Sequence, residues 1–168
     1  MPRRRKPLLA TLLLMGEGAH EKAFLSHLKS LYDGRQSGQT VKVDAASGGS
    51  PIEIVDETIR RYHHARFDRK VVLLDSDVVI IQQVRDKARR NGIELIVSTP
   101  VCLEGMILEL MGERVSETAR SEDRKRQLAA IVAGDRTDPT FYAFLSKTLL
   151  DSTDKEQVRR LIQLISNS

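Results

Sequence analysis

Cysteine is almost absent from this chain: Cys102 is the single one among 168 residues. That excludes an internal disulfide framework and any cysteine-based zinc cluster, and it fits a reducing, cytoplasmic setting. Tryptophan is missing altogether and aromatic residues make up 4%, so the core has to rest on Leu, Ile and Val. Long apolar runs are lacking too. The greasiest stretch begins at Leu8 and is broken at once by Gly16-Glu17-Gly18, too short to span a bilayer. Arg3, Arg4, Arg5 and Lys6 precede it in the manner of a signal peptide, but no small-residue cleavage site follows. The expected reading is a first strand behind a basic arm, with no membrane partner. A strong charge bias is also lacking. A net charge of +4 permits nucleic-acid binding without requiring it, because the placement of the charge decides.

The patterning describes one α/β domain. Residues 7–15 read as a buried parallel strand, and residues 19–32 as a helix with Ala23, Phe24, Leu28 and Leu31 on its apolar stripe. Residues 40–45 alternate as a half-buried strand. Ser50-Pro51 then caps a helix with Ile52, Val55, Ile59 and Tyr62 on one face. Val71 to Leu74 form a continuous apolar run ending in Asp75-Ser76-Asp77. A third helix follows directly to about Arg90, then a fourth strand over residues 93–97 and a helix over 102–111. Four strand–helix units in succession predict a parallel sheet of about four strands, Rossmann-like, with helices on both faces. Residues 7–112 form this unit. Residues 113–168 read as a C-terminal α-helical appendage packed on it, with helices at 117–132, 140–150 and 154–165.

Acidic residues gather where such a sheet places function, at the carboxyl ends of its strands. Glu17 ends the first strand, Asp75 and Asp77 end the third, and Glu104 opens the helix after the fourth; Glu21 lies one helical turn beyond Glu17. Crowded carboxylates repel unless a cation neutralises them or one takes a proton. Hard oxygen ligands without His or Cys suit Mg²⁺ or Mn²⁺, and such an ion points to phosphate chemistry. Each residue also has a plainer reading: Glu21 as a first-turn helix residue, Asp77 as the N-cap of the third helix, Glu104 as a solvent-facing glutamate.

Three stretches together carry a family resemblance: Gly16-Glu17-Gly18-Ala19-His20-Glu21, Leu73-Leu74-Asp75-Ser76-Asp77, and Pro100-Val101-Cys102-Leu103-Glu104. They resemble the Toprim superfamily, and within it the RloB-like and overcoming-lysogenization-defect nucleases. The resemblance implies a Mg²⁺- or Mn²⁺-dependent nuclease that hydrolyses phosphodiester bonds of DNA or RNA, associated with bacterial antiviral defence. A partner ATPase is compatible with it. Carried over, Glu17 and Glu21 take catalytic roles, and Asp75, Asp77, Glu17 and Glu104 hold the metal. The sequence departs from the family pattern at His20, where relatives place Thr or Ser, and around Glu104, which lacks the aromatics found there in many relatives. Nothing marks a tyrosine nucleophile.

Basic residues available for nucleic acid are Arg61, Arg66, Arg69 and Lys70 near the second helix, and Arg124 and Lys125 in the tail. Glu122 and Asp123 interleave the second group, as on a solvated helix face. Cys102 reads as a small buried residue or as a thiol of lowered pKa. Two alternatives stand beside the nuclease: a non-catalytic Toprim partner or scaffold, and a receiver-like module with Asp75 as phosphoacceptor and Ser98 or Thr99 as its hydroxyl partner.

Overall fold

Apolar strands punctuated by glycine and aspartate can bury both faces only between two helical layers, and a computed structural model has that arrangement. It describes residues 9–34 and 36–168; the basic arm Arg3–Lys6 and the first two residues of the expected strand lie outside them. Strands β1 (Ala10–Gly16), β2 (Gln39–Ala45), β3 (Arg69–Asp75) and β4 (Ile93–Ser98) alternate with helices α1 (Ala19–Tyr32), α2 (Pro51–Tyr62), α3 (Gln82–Arg90) and α4 (Leu103–Leu110). Every pairing is parallel, in the order β2-β1-β3-β4. The α/β fold expected from the sequence is the fold observed.

The two central strands show why they read as continuous apolar runs. Leu12, Leu14, Val71 and Leu73 pack with α1 and α4, whereas Leu13, Met15, Val72 and Leu74 pack with α2 and α3. Alternate side chains thus enter opposite layers. Each fully buried leucine contributes about 1.5–3 kcal/mol.

Strand order also creates a crevice. The chain leaves β1 toward β2 through α1 on one face, and leaves β3 toward β4 through α3 on the other. Between β1 and β3 the winding reverses, and the space outside their carboxyl ends is where ligands of open α/β sheets bind. Glu17 follows β1 and Asp75 closes β3. Topology alone brings these two together.

The tail consists of α5 (Ser121–Ile131), a 3-10 segment (Pro139–Phe144), α6 (Lys147–Asp151) and α7 (Glu156–Ser166). Leu128, Tyr142, Leu145, Leu161 and Leu164 join the α1/α4 cluster. Buried polar contacts lock it in place: His27 Nε2 lies 2.8 Å from the Leu145 carbonyl, and Gln39 Nε2 donates to the Leu164 carbonyl at 2.9 Å.

Several element boundaries differ from expectation. Helix α3 starts at Gln82, capped by Ile81, so residues 76–81 are a loop and Asp77 is not a helix cap. The β-branched run Val78-Val79-Ile80-Ile81 explains the delay, since stiff branched side chains make a poor first turn. Helix α5 begins at Ser121, not at residue 117. The expected helix at 140–150 splits because the Ser146 hydroxyl accepts from the Leu149 N–H at 3.2 Å and starts α6 afresh. On α2 the buried face is turned toward Ile54, Val55 and Thr58, with Ile52 and Ile59 only half-buried.

Two glycines permit the closest approaches at the sheet's carboxyl edge. A Cβ on Gly16 would stand 2.6 Å from Glu21 Cβ, and one on Gly105 would stand 2.1 Å from the Pro100 carbonyl oxygen. Gly105→Ala is expected to lower stability in urea unfolding by about 1–3 kcal/mol, as overpacking does. Gly34, with open space around it, provides the control: its alanine variant should stay within about 0.5 kcal/mol of the wild type.

Candidate functional site

Three carboxylates at this edge are each tethered by a backbone amide. Glu17, in the turn from β1 to α1, accepts on Oε2 from the Asp75 N–H at 3.1 Å. Asp75 accepts on Oδ1 from the Leu103 N–H at 2.9 Å, which ties the end of β3 to the start of α4. Glu21 curls back on the first turn of α1, its Oε2 accepting from the Gly18 N–H at 2.9 Å. The second oxygen of each has no hydrogen-bond donor among the described residues. Glu21 therefore fills the plainer capping role and also keeps an oxygen for the site.

Their electrostatics are those of anions confined together. Burial, reinforced by Glu21, Glu17 and Glu104, pushes the Asp75 carboxyl up to about 8. Burial, with Glu104 and Glu17, raises Glu21 to about 7. Glu17 is raised as well, chiefly by burial and with Asp77 and Glu104 adding to it, against the opposing hydrogen bond from Asp75. These are like charges sharing a poorly solvated space.

Glu104 differs from the other three. Far from facing solvent, it is 2% exposed. Its Oε1 accepts from Arg136 Nη1 at 3.1 Å and lies 3.5 Å from His20 Nδ1. Arg136 belongs to the tail, 32 residues further on, and no sequence motif singles it out. Lys125 completes the positive side: although burial disfavours its charge, Glu104 and Glu122 raise its pKa. Asp77 is exposed and bonded to the tail through the Ser121 hydroxyl at 2.8 Å.

The β4–α4 loop supports the arrangement under strain. Val101 sits at φ 69, with the Cys102 N–H donating to the Pro100 carbonyl at 2.8 Å. That is a tight turn around a β-branched residue in the left-handed region, a costly conformation that clusters at functional sites. Its carbonyl accepts from the Ser76 N–H at 3.1 Å, fastening the loop after Asp75. Ser98 pairs with Asp75 across β4 and β3, and its fully buried hydroxyl has no hydrogen-bond partner among the described residues. Cys102 is fully buried and its thiol is pushed up to about 12, mainly by burial, which overturns the reading of a thiol of lowered pKa.

The expected basic residues divide. Arg124 and Lys125 lie on the half-buried side of α5, where Lys125 is within electrostatic reach of Glu17 and Glu104 and Arg124 bonds Gln127 at 2.6 Å, while Arg126 faces solvent and pairs with Asp123. Arg69 and Lys70 begin β3, whose last residue is Asp75, so they stand a full strand away, roughly 15–20 Å. Arg66 precedes them at that same end, and Arg69 is occupied with Gln39 and Asn167. Arg61 is engaged by Asp44 at 3.0 Å and by Glu57. Arg66, Arg69 and Lys70 are thus at the opposite end of the sheet, whereas Arg61 lies at the carboxyl end of β2, next to the end of β1, with its guanidinium already committed to Asp44, the Ala45 carbonyl and Glu57.

Among the described residues no three His, Cys, Asp or Glu side chains are already drawn in around one ion position. The donor set nevertheless fits a hydrated hard cation. Glu17, Glu21 and Asp75 offer tethered carboxylates with an uncommitted oxygen each, and Mg²⁺ commonly uses only one or two carboxylates beside water and substrate phosphate. Glu104 is set apart, its charge balanced by Arg136.

The raised carboxylates fix the sign of a pH effect. A carboxyl that holds its proton more tightly when folded contributes stability at low pH, and loses it as pH climbs from its unfolded value to its folded one. For Glu21 and Asp75 that window runs from about 4 to about 8. Thermal unfolding without divalent ions should therefore show the melting temperature falling across this range. Asp75→Asn, which keeps the oxygen facing Leu103, should melt higher than wild type at pH 8, and Mg²⁺ should raise the wild type far more than the variant.

No helix among the described residues is long and apolar enough to cross a membrane. Comparison with protein-family models, curated proteins and solved structures finds no match to this chain, so the reading of the site rests on its own residues.

Proposed function

We propose that this carboxylate edge is the active site of a divalent-metal-dependent phosphodiesterase acting on nucleic acid. The observation that carries the reading is the confinement of Glu17, Glu21 and Asp75 in one poorly solvated crevice, with all three carboxyls raised, Glu21 to about 7 and Asp75 to about 8. Such a cluster is costly in a stability sense and is the usual environment of groups tuned for chemistry.

In this reading Asp75 and Glu17 would hold Mg²⁺ or Mn²⁺ through their uncommitted oxygens, and Asp77 would be available as a further ligand. The chemistry such an ion supplies when bound is neutralisation of charge on the phosphoryl oxygen. Glu21, with a pKa of about 7, is matched to accept a proton from the attacking water near neutral pH. Arg136 is fixed by Glu104 and keeps further N–H donors for a phosphate oxygen, and Lys125 adds a second positive charge. Glu104 is then a positioning residue for Arg136. A defence role and a partner ATPase rest on the family resemblance.

Incubation with DNA and RNA panels should give cleavage that requires Mg²⁺ or Mn²⁺ and stops with a chelator. Asp75→Ala and Glu17→Gln, verified as folded, should each reduce the rate by roughly a hundredfold or more. Glu104→Gln should weaken substrate binding more than turnover. Undiminished cleavage by Asp75→Ala would remove the proposal.

A further inference from the structure

Beside the carboxylates lies a cleft of which the proposed chemistry uses only Asp77. It has a volume of about 630 Å³ and runs between the loop after β3 and the approach to α5, lined in part by Ser76, Asp77, Pro100, Val101, Ala119 and Arg120. That volume is in the range of small-ligand sites. Its two walls come from distant parts of the chain and are joined by the hydrogen bond from Ser121 to Asp77.

The lining has a definite chemical character. Pro100 and Val101 form an apolar wall, held by the strained turn at φ 69 and by the Ser76–Val101 hydrogen bond. Exposed Arg120 supplies a cation to the lining, and exposed Glu117 beside it supplies acceptor oxygens. In the loop beyond Asp77, Val78 and Val79 are 51% and 81% exposed. An unstacked nucleotide asks for these groups: an apolar surface for the flat of the base, acceptors for its amino edge, and a cation for its phosphate.

Access points to the form of the polymer. Glu21 and Glu104 are only 7% and 2% exposed. Tail residues stand beside both, Arg136 against Glu104 and the Tyr142 hydroxyl against the His20 carbonyl at 3.3 Å. A duplex is stiff and presents its phosphates on a convex surface, so it meets the rim before the recessed carboxylates. A single strand can bend inward and turn a base aside.

We propose that this cleft is a nucleotide subsite of the carboxylate site, and that it admits single-stranded nucleic acid in preference to a duplex. The link to cleavage rests on the phosphodiesterase reading; the binding does not. The test is fluorescence anisotropy with the full chain, Ca²⁺ as the ion, and labelled short single strands of DNA and RNA against a hairpin duplex of the same sequence. The single strand should bind at least about tenfold more tightly. Arg120→Glu, on an exposed side chain, and Ala119→Trp, which fills the cleft, should each weaken that binding by a similar factor while melting curves confirm folding. Equal affinity for the duplex, or wild-type binding by the folded Arg120→Glu variant, overturns the inference. Selective binding with no cleavage in Mg²⁺ or Mn²⁺ removes the phosphodiesterase reading and leaves the subsite standing.

Discussion

Repulsion among carboxylates at one edge of the sheet is the constraint on which the rest of this structure turns. Glu17, Glu21, Asp75 and Glu104 are brought within reach of one another by strand order and by the first turns of α1 and α4. The protein meets the repulsion in two ways. Backbone amides of Gly18, Asp75 and Leu103 each take one carboxylate oxygen, while tail cations balance the most buried member. What remains uncompensated is on Glu21 and Asp75, whose pKa values stand furthest above the ordinary range. Stability has been given up there, and sites of chemistry are where folds give it up.

Close packing serves the same edge. Gly16 lets α1 approach until Glu21 can turn back over the strand end, and Gly105 lets α4 sit against the Pro100 carbonyl. Without a side chain at either point, the amides that tether Glu21 and Asp75 can reach them. Strain in the loop at Val101 belongs to the same construction, since its carbonyl anchors Ser76, the residue after Asp75.

Much of this was legible in the residues themselves. Val71 to Leu74 could only be a strand buried on both faces, and Asp75 therefore had to stand at its end. Glu17 followed from the same logic in β1, and Ser50-Pro51 announced α2. The tail was harder to read. His27 and Leu25 are buried because the 3-10 segment and α7 cover α1 from the side away from the sheet, a long-range contact that periodicity in α1 does not encode. Arg136 was missed for the same reason: its partner Glu104 precedes it by 32 residues, and nothing local marks the pair. Arg69 and Lys70 looked available because charge was counted without asking at which end of the strand it lay.

One feature of the Glu104–Arg136 pair acts in time as well as in space. Chains emerge from the ribosome amino end first, and domains fold as their parts become available. All four carboxylates lie in the first 104 residues, whereas Lys125, Arg136 and the Tyr142 contact come afterwards. A nascent chain that has completed β4 and α4 carries the full negative charge with neither the cations nor the flanking tail. The balancing cations are thus added last, by the segment least recognisable in the sequence, and the order of synthesis leaves the carboxylates without them until the tail has docked.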